Sequence, residues 1–259
     1  MTTLDERPPA HAAPPRQPAW AAAVGLLGEL LIIAGAVLGL YVVWQLFYTD
    51  IAANSTQQAV VDSLDWVAPI TTAADGGGVT VIPDDLKFGP DSAPVMEQPA
   101  LATTFATMHV PRWGADYVKP VSEGVTRRDV LDTLGIGHYP GTGMPGSLGN
   151  FAISAHRTTY GKPFNKIADL QEGDPLIIET EQAWYVYRVT EWKIVKPSQV
   201  EVIAPVPDQP GVEPDGHYIT LTTCHPMYSA AERWITHGTL EYWAPHEAGV
   251  PAELVEDAS

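Results

Sequence analysis

Residues 30–47, LLIIAGAVLGLYVVWQLF, run for eighteen positions without a charged side chain. At about 1.5 Å rise per residue such a helix spans roughly 27 Å, close to the hydrocarbon thickness of a bilayer. The run reads as one membrane-spanning helix, and whatever else the chain folds into must fold outside it. Apolar character begins near Trp20 with Glu29 as its one charge, and Trp20, Trp44 and Tyr48 suit the aromatic belts at the two interfaces. A cleaved signal peptide has a shorter apolar core of about 7–15 residues followed by a small-residue cleavage site, so a retained anchor is expected. Arg7 and Arg16 precede the run, whereas no Lys or Arg occurs between Asp50 and Leu86. Basic residues stay inside. The expectation is a cytoplasmic tail at 1–19, a single-pass anchor in the cell membrane at 20–48, and the bulk of the protein outside the cell.

Residues 50–102 hold eight acidic side chains and one basic one in an Ala, Thr and Pro background that includes Asp75-Gly76-Gly77-Gly78. That composition predicts a flexible extracellular stem over 49–102. From residue 103 the signals are mostly β. Runs at 105–110, 117–121, 150–156, 175–180, 183–195, 218–224 and 233–243 are rich in β-branched and aromatic residues and are separated by Gly, Pro and Asp clusters. They favour a barrel or sandwich over 103–245. One helix interrupts them, with Thr126-Arg127-Arg128-Asp129 as a start resembling a capping box, Val130, Leu131 and Leu134 on one face, and Gly135 as the stop. The segment 135–143 lacks the Gly-Lys-Ser/Thr ending of a phosphate loop and reads as a turn-rich loop. A Pro- and acid-rich segment, 206–216, separates two of the strands, and 246–259 reads as a loose acidic tail.

Composition removes several functions. With 45% hydrophobic residues the chain is neither disordered nor collagen-like. Its 31 acidic against 14 basic side chains, a net charge of −17, argue against electrostatic capture of nucleic acid. One cysteine excludes an intramolecular disulfide framework.

That cysteine ends the run Tyr218-Ile219-Thr220-Leu221-Thr222-Thr223-Cys224-His225-Pro226. Alternation puts Tyr218, Thr220, Thr222 and Cys224 on one face, and Pro226 stops ladder pairing, so the sulfur sits at a strand end open to a substrate. Strand character resumes at Arg233, which places Cys224 and Arg233 at facing ends of two antiparallel strands. A guanidinium there favours a thiolate and can hydrogen-bond a developing oxyanion. His156 ends another apolar strand, just before Arg157-Thr158-Thr159-Tyr160-Gly161. A Cys–His pair is the minimum apparatus for covalent acyl chemistry. A rival set, Cys224, His225, His237 and His217, offers zinc-type ligands, but its spacing fits none of the recognised zinc patterns. No acidic loop with calcium-ligand spacing stands out, and the reading requires no metal and no cofactor.

These residues resemble the sortases, membrane-anchored cysteine transpeptidases of Gram-positive bacteria. The signature Thr220-Leu221-Thr222-Thr223-Cys224 with Arg233 downstream carries the likeness. The extended Cys224-His225-Pro226, Gly137-His138-Tyr139-Pro140-Gly141-Thr142 and Ala155-His156-Arg157-Thr158-Thr159-Tyr160-Gly161 are most similar to the class E branch of actinobacteria. The resemblance implies a closed eight-stranded β-barrel with one or two short helices, and His156, Cys224 and Arg233 gathered at one end. It implies a cysteine peptidase chemistry in which Cys224 attacks the Thr–Gly carbonyl of a C-terminal sorting motif, Leu-Ala-x-Thr-Gly or Leu-Pro-x-Thr-Gly, on a secreted protein. His156 then protonates the leaving amine, and an amine of a peptidoglycan precursor resolves the thioacyl enzyme. Arg233 serves the oxyanion or the substrate, the backbone near Thr223 assists, and Tyr139 and Tyr160 shape the substrate pocket. Two alternatives share the nucleophile: a pilin-polymerising sortase, and a cysteine hydrolase with water as acceptor. A non-enzymatic surface module must treat the motifs as coincidence.

Overall fold

The structure is a computed structural model that describes residues 19–44, 48–68 and 80–255. The expected cytoplasmic tail with Arg7 and Arg16, positions 45–47 of the anchor, the stretch 69–79 with its glycine run, and the acidic end 256–259 lie outside the described residues. The chain divides into two units, 1–44 and 45–259.

In the first unit, helix α1 spans Ala19–Val43. Its stretch Trp20–Val43, 24 residues, is long and apolar enough to cross a membrane. It is apolar on all sides, with Leu26, Leu30, Ile32, Val37 and Leu40 all exposed, so it offers no single stripe for docking on a protein core.

The second unit is a closed barrel in the order β1-β2-β3-β4-β7-β8-β6-β5. The strands are β1 Thr104–His109, β2 Val118–Glu123, β3 Ile136–His138, β4 Gly149–Ser154, β5 Pro175–Glu179, β6 Ala183–Val195, β7 His217–His225 and β8 Glu232–Pro245. The pairs β2/β3 and β4/β7 are parallel, and the other neighbours are antiparallel. Phe105, Met108, Val121, Ile136, Phe151, Ile153, Leu176, Ile178, Tyr185, Tyr187, Ile219 and Leu221 belong to one core cluster. Closure leaves no open sheet edge, which is how a β protein of this size avoids edge-to-edge association.

Three stretches differ from expectation. β3 lies in the segment expected as a turn-rich loop; it is three residues long, too short to show alternation, and is fully buried. A Cβ on Gly137 would lie 2.2 Å from the Gly124 carbonyl oxygen, so glycine is there for close packing of β3 on β2. The segment 49–102, expected as a stem, is ordered wherever it is described. Helix α2, Thr49–Asp62, buries Asp50, Ala53, Gln57 and Val61, and residue 82 begins a second apolar layer in which Ile82, Val250 and Leu254 cover Ile177, Trp184, Val186 and Tyr242. The last of these segments is the expected loose tail: Val250 bridges Val81 in parallel, and Ile82 N–H donates to the Val250 carbonyl at 2.9 Å. Each flank supplies isolated apolar anchors rather than a periodic face, so neither advertises its packing in sequence. The continuous apolar run Trp184–Val186 is the counterpart signal, since residues buried on both faces of a sheet do not alternate.

The helix expected at 126–134 is a wider turn, a π-type helix at Arg127–Leu131. Leu131 and Asp132 N–H donate to the carbonyls five residues back, at 3.1 and 2.7 Å. Thr126 Oγ1 donates to the Asp129 carboxylate at 3.0 Å rather than capping a backbone amide. Val130 and Leu131 are buried as expected.

Candidate active site

β4, β7 and β8 lie side by side and deliver their functional ends to one rim. Ser154 on β4 stands beside Thr222 on the parallel β7, and Cys224 on β7 stands beside Arg233 on the antiparallel β8. Two residues beyond Ser154, His156 comes level with Cys224. Ile219 and Leu221 point into the barrel core, so alternation sends Thr220, Thr222 and Cys224 to the outer face. Cys224 is half-buried, so its sulfur is within reach of solvent.

The two partners are held differently. His156 Nε2 meets Asp132 Oδ1 at 2.6 Å, with both side chains partly open to solvent. Asp132 also pairs with Arg127 Nε at 3.4 Å. The Tyr160 ring lies 5.2 Å from the imidazole, and the Arg127 guanidinium sits 5.9 Å over that ring. Arg233 Nη1 donates to the Ala230 and Glu232 carbonyls at 3.0 and 2.9 Å, which steadies the β7–β8 loop.

Of the remaining expected site residues, Tyr139 follows β3 and its hydroxyl lies 3.0 Å from Thr222 Oγ1, on the outer face two residues from Cys224. Tyr160 stands on the other side, against His156. Thr223 faces inward: it is buried and its Oγ1 donates to the Ala155 carbonyl at 2.7 Å. Only its backbone is placed to serve a substrate. The rival zinc set does not gather. His217 and His225 occupy opposite ends of the nine-residue β7, roughly 27 Å apart at strand rise, and His237 pairs with Thr220 in mid-strand.

Sequence reasoning missed two members of the rim. Asp132 is separated from His156 by 24 positions, and only the wide turn at Arg127–Leu131 explains how it arrives; no local pattern announces it. Arg157 stood in view beside His156 without a role. Its guanidinium is buried, Nη1 donates to His225 Nδ1 at 2.8 Å, and it lies 5.1 Å over the Trp234 ring. It thereby ties the residue after His156 to the residue after Cys224. Its position next to a candidate imidazole was the available signal.

A third contribution comes from α2. Asp50 Oδ1 accepts the Gly161 N–H at 3.1 Å, Gln57 Nε2 donates to the Tyr160 carbonyl at 3.0 Å, and Lys162 pairs with Asp50 at 3.1 Å. Gly161 has φ of +78°, and a Cβ there would lie 2.8 Å from the Gln57 amide. The loop beside His156 is therefore moulded against α2.

Comparison with known proteins agrees with this geometry. The family model described as Sortase domain matches residues 108–241. Sortase SrtE1 of Streptomyces coelicolor is 32% identical over 235 residues, covering 88% of this chain and 60% of its own length. The chain thus spans 60% of that relative. Sortase SrtE2 of the same organism is 32% identical over 232 residues, covering 85% of this chain and 83% of its own. Among solved structures, the SrtA sortase from Actinomyces oris has 44% identity and a TM-score of 0.62, covering 67% of this chain and 98% of that one. Sortase E1 from Streptomyces coelicolor, solved with a tripeptide in its active site, has 38% identity and a TM-score of 0.55, covering 60% and 98%.

Proposed function

The chain belongs to the sortase family, and on that premise we propose that it is a membrane-anchored cysteine transpeptidase acting outside the cell. α1 is the anchor, with the N-terminus cytoplasmic. The substrate is a secreted protein carrying a C-terminal Leu-Ala-x-Thr-Gly-like or Leu-Pro-x-Thr-Gly-like motif, and the acceptor is an amine of a peptidoglycan precursor.

In this mechanism Cys224 Sγ attacks the Thr carbonyl carbon, and the carbonyl π pair moves to oxygen. Arg233 and a backbone N–H near Thr223 hold the oxyanion. The intermediate collapses, the C–N bond breaks, and the Gly amine departs with a proton from His156. The incoming amine attacks the thioester carbonyl, returns a proton to His156 and expels the Cys224 thiolate. Asp132 engages Nε2, so Nδ1 is the nitrogen that exchanges the proton. Tyr139, beside Thr222, and Tyr160, beside His156, bound the peptide.

What supports the reading is the pairing of Cys224 with Arg233 across β7 and β8, with His156 two residues beyond the β4 position that pairs with Thr222. The test is the full-length chain in detergent with each peptide and an amine acceptor, followed by mass spectrometry beside Cys224→Ala. Joined product lost in the variant is expected. Cleavage without amine incorporation would assign a hydrolase, joining of pilin subunits through their lysines would assign the polymerising branch, and no reaction with either peptide would remove the proposal.

A further inference from the structure

On the outer face of the barrel, away from the catalytic rim, Glu191 of β6, Asp208 of the β6–β7 connection and His237 of β8 bring their ligand atoms within 4.8 Å of one another. Acidic neighbours alone are common. The histidine is not: its side chain is 4% exposed, and Nε2 is buried with no hydrogen-bond partner among the described residues. That nitrogen points at the carboxylates, 3.5 Å from Asp208 Oδ2.

The hydrogen bonds behind the ring fix what Nε2 carries. Asn150 Nδ2 donates to the Val202 and Ala204 carbonyls at 3.4 and 3.0 Å, so its Oδ1 faces Thr220. Thr220 therefore donates its hydroxyl proton to Asn150 Oδ1, at 2.9 Å. With that proton spent, Thr220 accepts from His237 Nδ1, also at 2.9 Å. Nδ1 holds the imidazole proton. With Nδ1 as the donor to Thr220 and Nε2 unpartnered, Nε2 is the nitrogen that presents a lone pair. A buried lone pair aimed at carboxylate oxygens is electrostatically unfavourable unless a cation stands between them. Lys193 partly answers this, since its ammonium contacts Asp208 and lies 3.5 Å from Glu191. It donates nothing to His237, and its long side chain can withdraw to solvent.

We propose that Glu191, Asp208 and His237 form a divalent-cation site for zinc, with water as the fourth ligand. One imidazole and two carboxylates suit a borderline ion better than calcium, which prefers oxygen ligands throughout. Tetrahedral zinc places its ligand atoms about 3.3 Å apart, and the His237–Asp208 separation is already 3.5 Å. Bound zinc would join β6, β8 and the β6–β7 connection, pinning the segment 206–216 over the outer face that Thr220 shares with Cys224.

Equilibrium dialysis of the full-length Cys224→Ala chain in detergent against Zn²⁺ tests this with the thiol removed. One saturable equivalent is expected. Asp208→Asn and Glu191→Gln, both at exposed positions, should each weaken it at least tenfold with an unchanged zinc-free melting temperature. Asp215→Asn, in the same connection, should not. Lys193→Met should tighten binding severalfold by removing the competing ammonium. Co²⁺ loaded in place of Zn²⁺ should give a visible band lost in Asp208→Asn. No saturable binding in either the parent or Lys193→Met, or binding indifferent to Asp208 and Glu191, would overturn the site.

Discussion

Two carboxylate–imidazole clusters sit at opposite ends of solvent access. Glu179, at the end of β5, is fully buried. It accepts hydrogen bonds from Thr107 Oγ1, His109 Nε2, His246 Nε2 and Ala68 N–H, at 2.9, 2.8, 2.9 and 2.7 Å. Asp132 and His156, on the rim, make one short bond between partly exposed groups. The pairing chemistry is shared, and its uses diverge. Gathered around the buried Glu179, the first cluster ties β1, β5 and both barrel flanks together. Left open beside Cys224, the second holds an imidazole where protons can come and go. Burial, more than residue type, separates a structural pair from one proposed to act in catalysis.

The largest effects should fall on opposite sides of that contrast. His156→Ala should lower kcat/KM on the order of a thousandfold, equivalent to about 4 kcal/mol, while the melting temperature barely moves. Glu179→Ala should do the reverse, costing about 3 kcal/mol of stability by stranding the buried His109 and the partly buried His246 while activity per folded molecule survives. Denaturant titrations beside steady-state rates decide it, and loss of stability in both variants would erase the distinction.

The sealed pair also carries a pH signature. Burial pushes the Glu179 pKa up, but the bonds from His109 and His246 outweigh it and bring it from 4.5 down to about 2. A depressed carboxyl pKa means stability fully present above about pH 4.5 and lost as pH falls through about 2. Glu179→Gln should therefore flatten the acid limb of the melting-temperature profile and leave the neutral plateau lower. An acid limb of unchanged steepness in that variant would mean other carboxylates govern it.

Asp132→Asn should sharpen the comparison from the open side. It keeps the shape and removes the carboxylate charge facing His156, so kcat should fall about tenfold with little change in KM. A purely structural Asp132 would shift stability and leave kcat per folded molecule in place.

How much of this was legible before the fold was known follows the same division. Seven strands announced themselves through β-branched runs, and β3 did not because three buried residues cannot display a period. The placement of Cys224 and Arg233 at facing strand ends was legible because each stands beside a turn. Asp132, α2 and the anchors Ile82, Val250 and Leu254 were illegible for one reason: each acts through contacts distant in sequence, made by one or two side chains. The Thr223 side chain faces the core, which leaves its backbone for the role expected of it. The segment 49–102 looked like a stem because a polar helix that docks by Asp50 and Gln57 is compositionally close to a linker.

α2 gives the smallest expected effect and the finest test of the open pair. His156 leans on Tyr160, and the backbone of 160–162 is held by Asp50 and Gln57 from outside the barrel. Asp50→Asn retains an oxygen for the Gly161 N–H and loses the charge facing the half-exposed Lys162, a pair worth less than about 1 kcal/mol. Stability should hardly change. If α2 sets the Tyr160 position, kcat should still drop about two- to threefold, with faster hydrogen exchange confined to residues 160–162. The sealed cluster, with no such external clamp on Glu179 from α2, should exchange as before. Unchanged kcat together with faster exchange at 160–162 would show that the rim tolerates a loose Tyr160, and that the open pair is positioned by Asp132 alone.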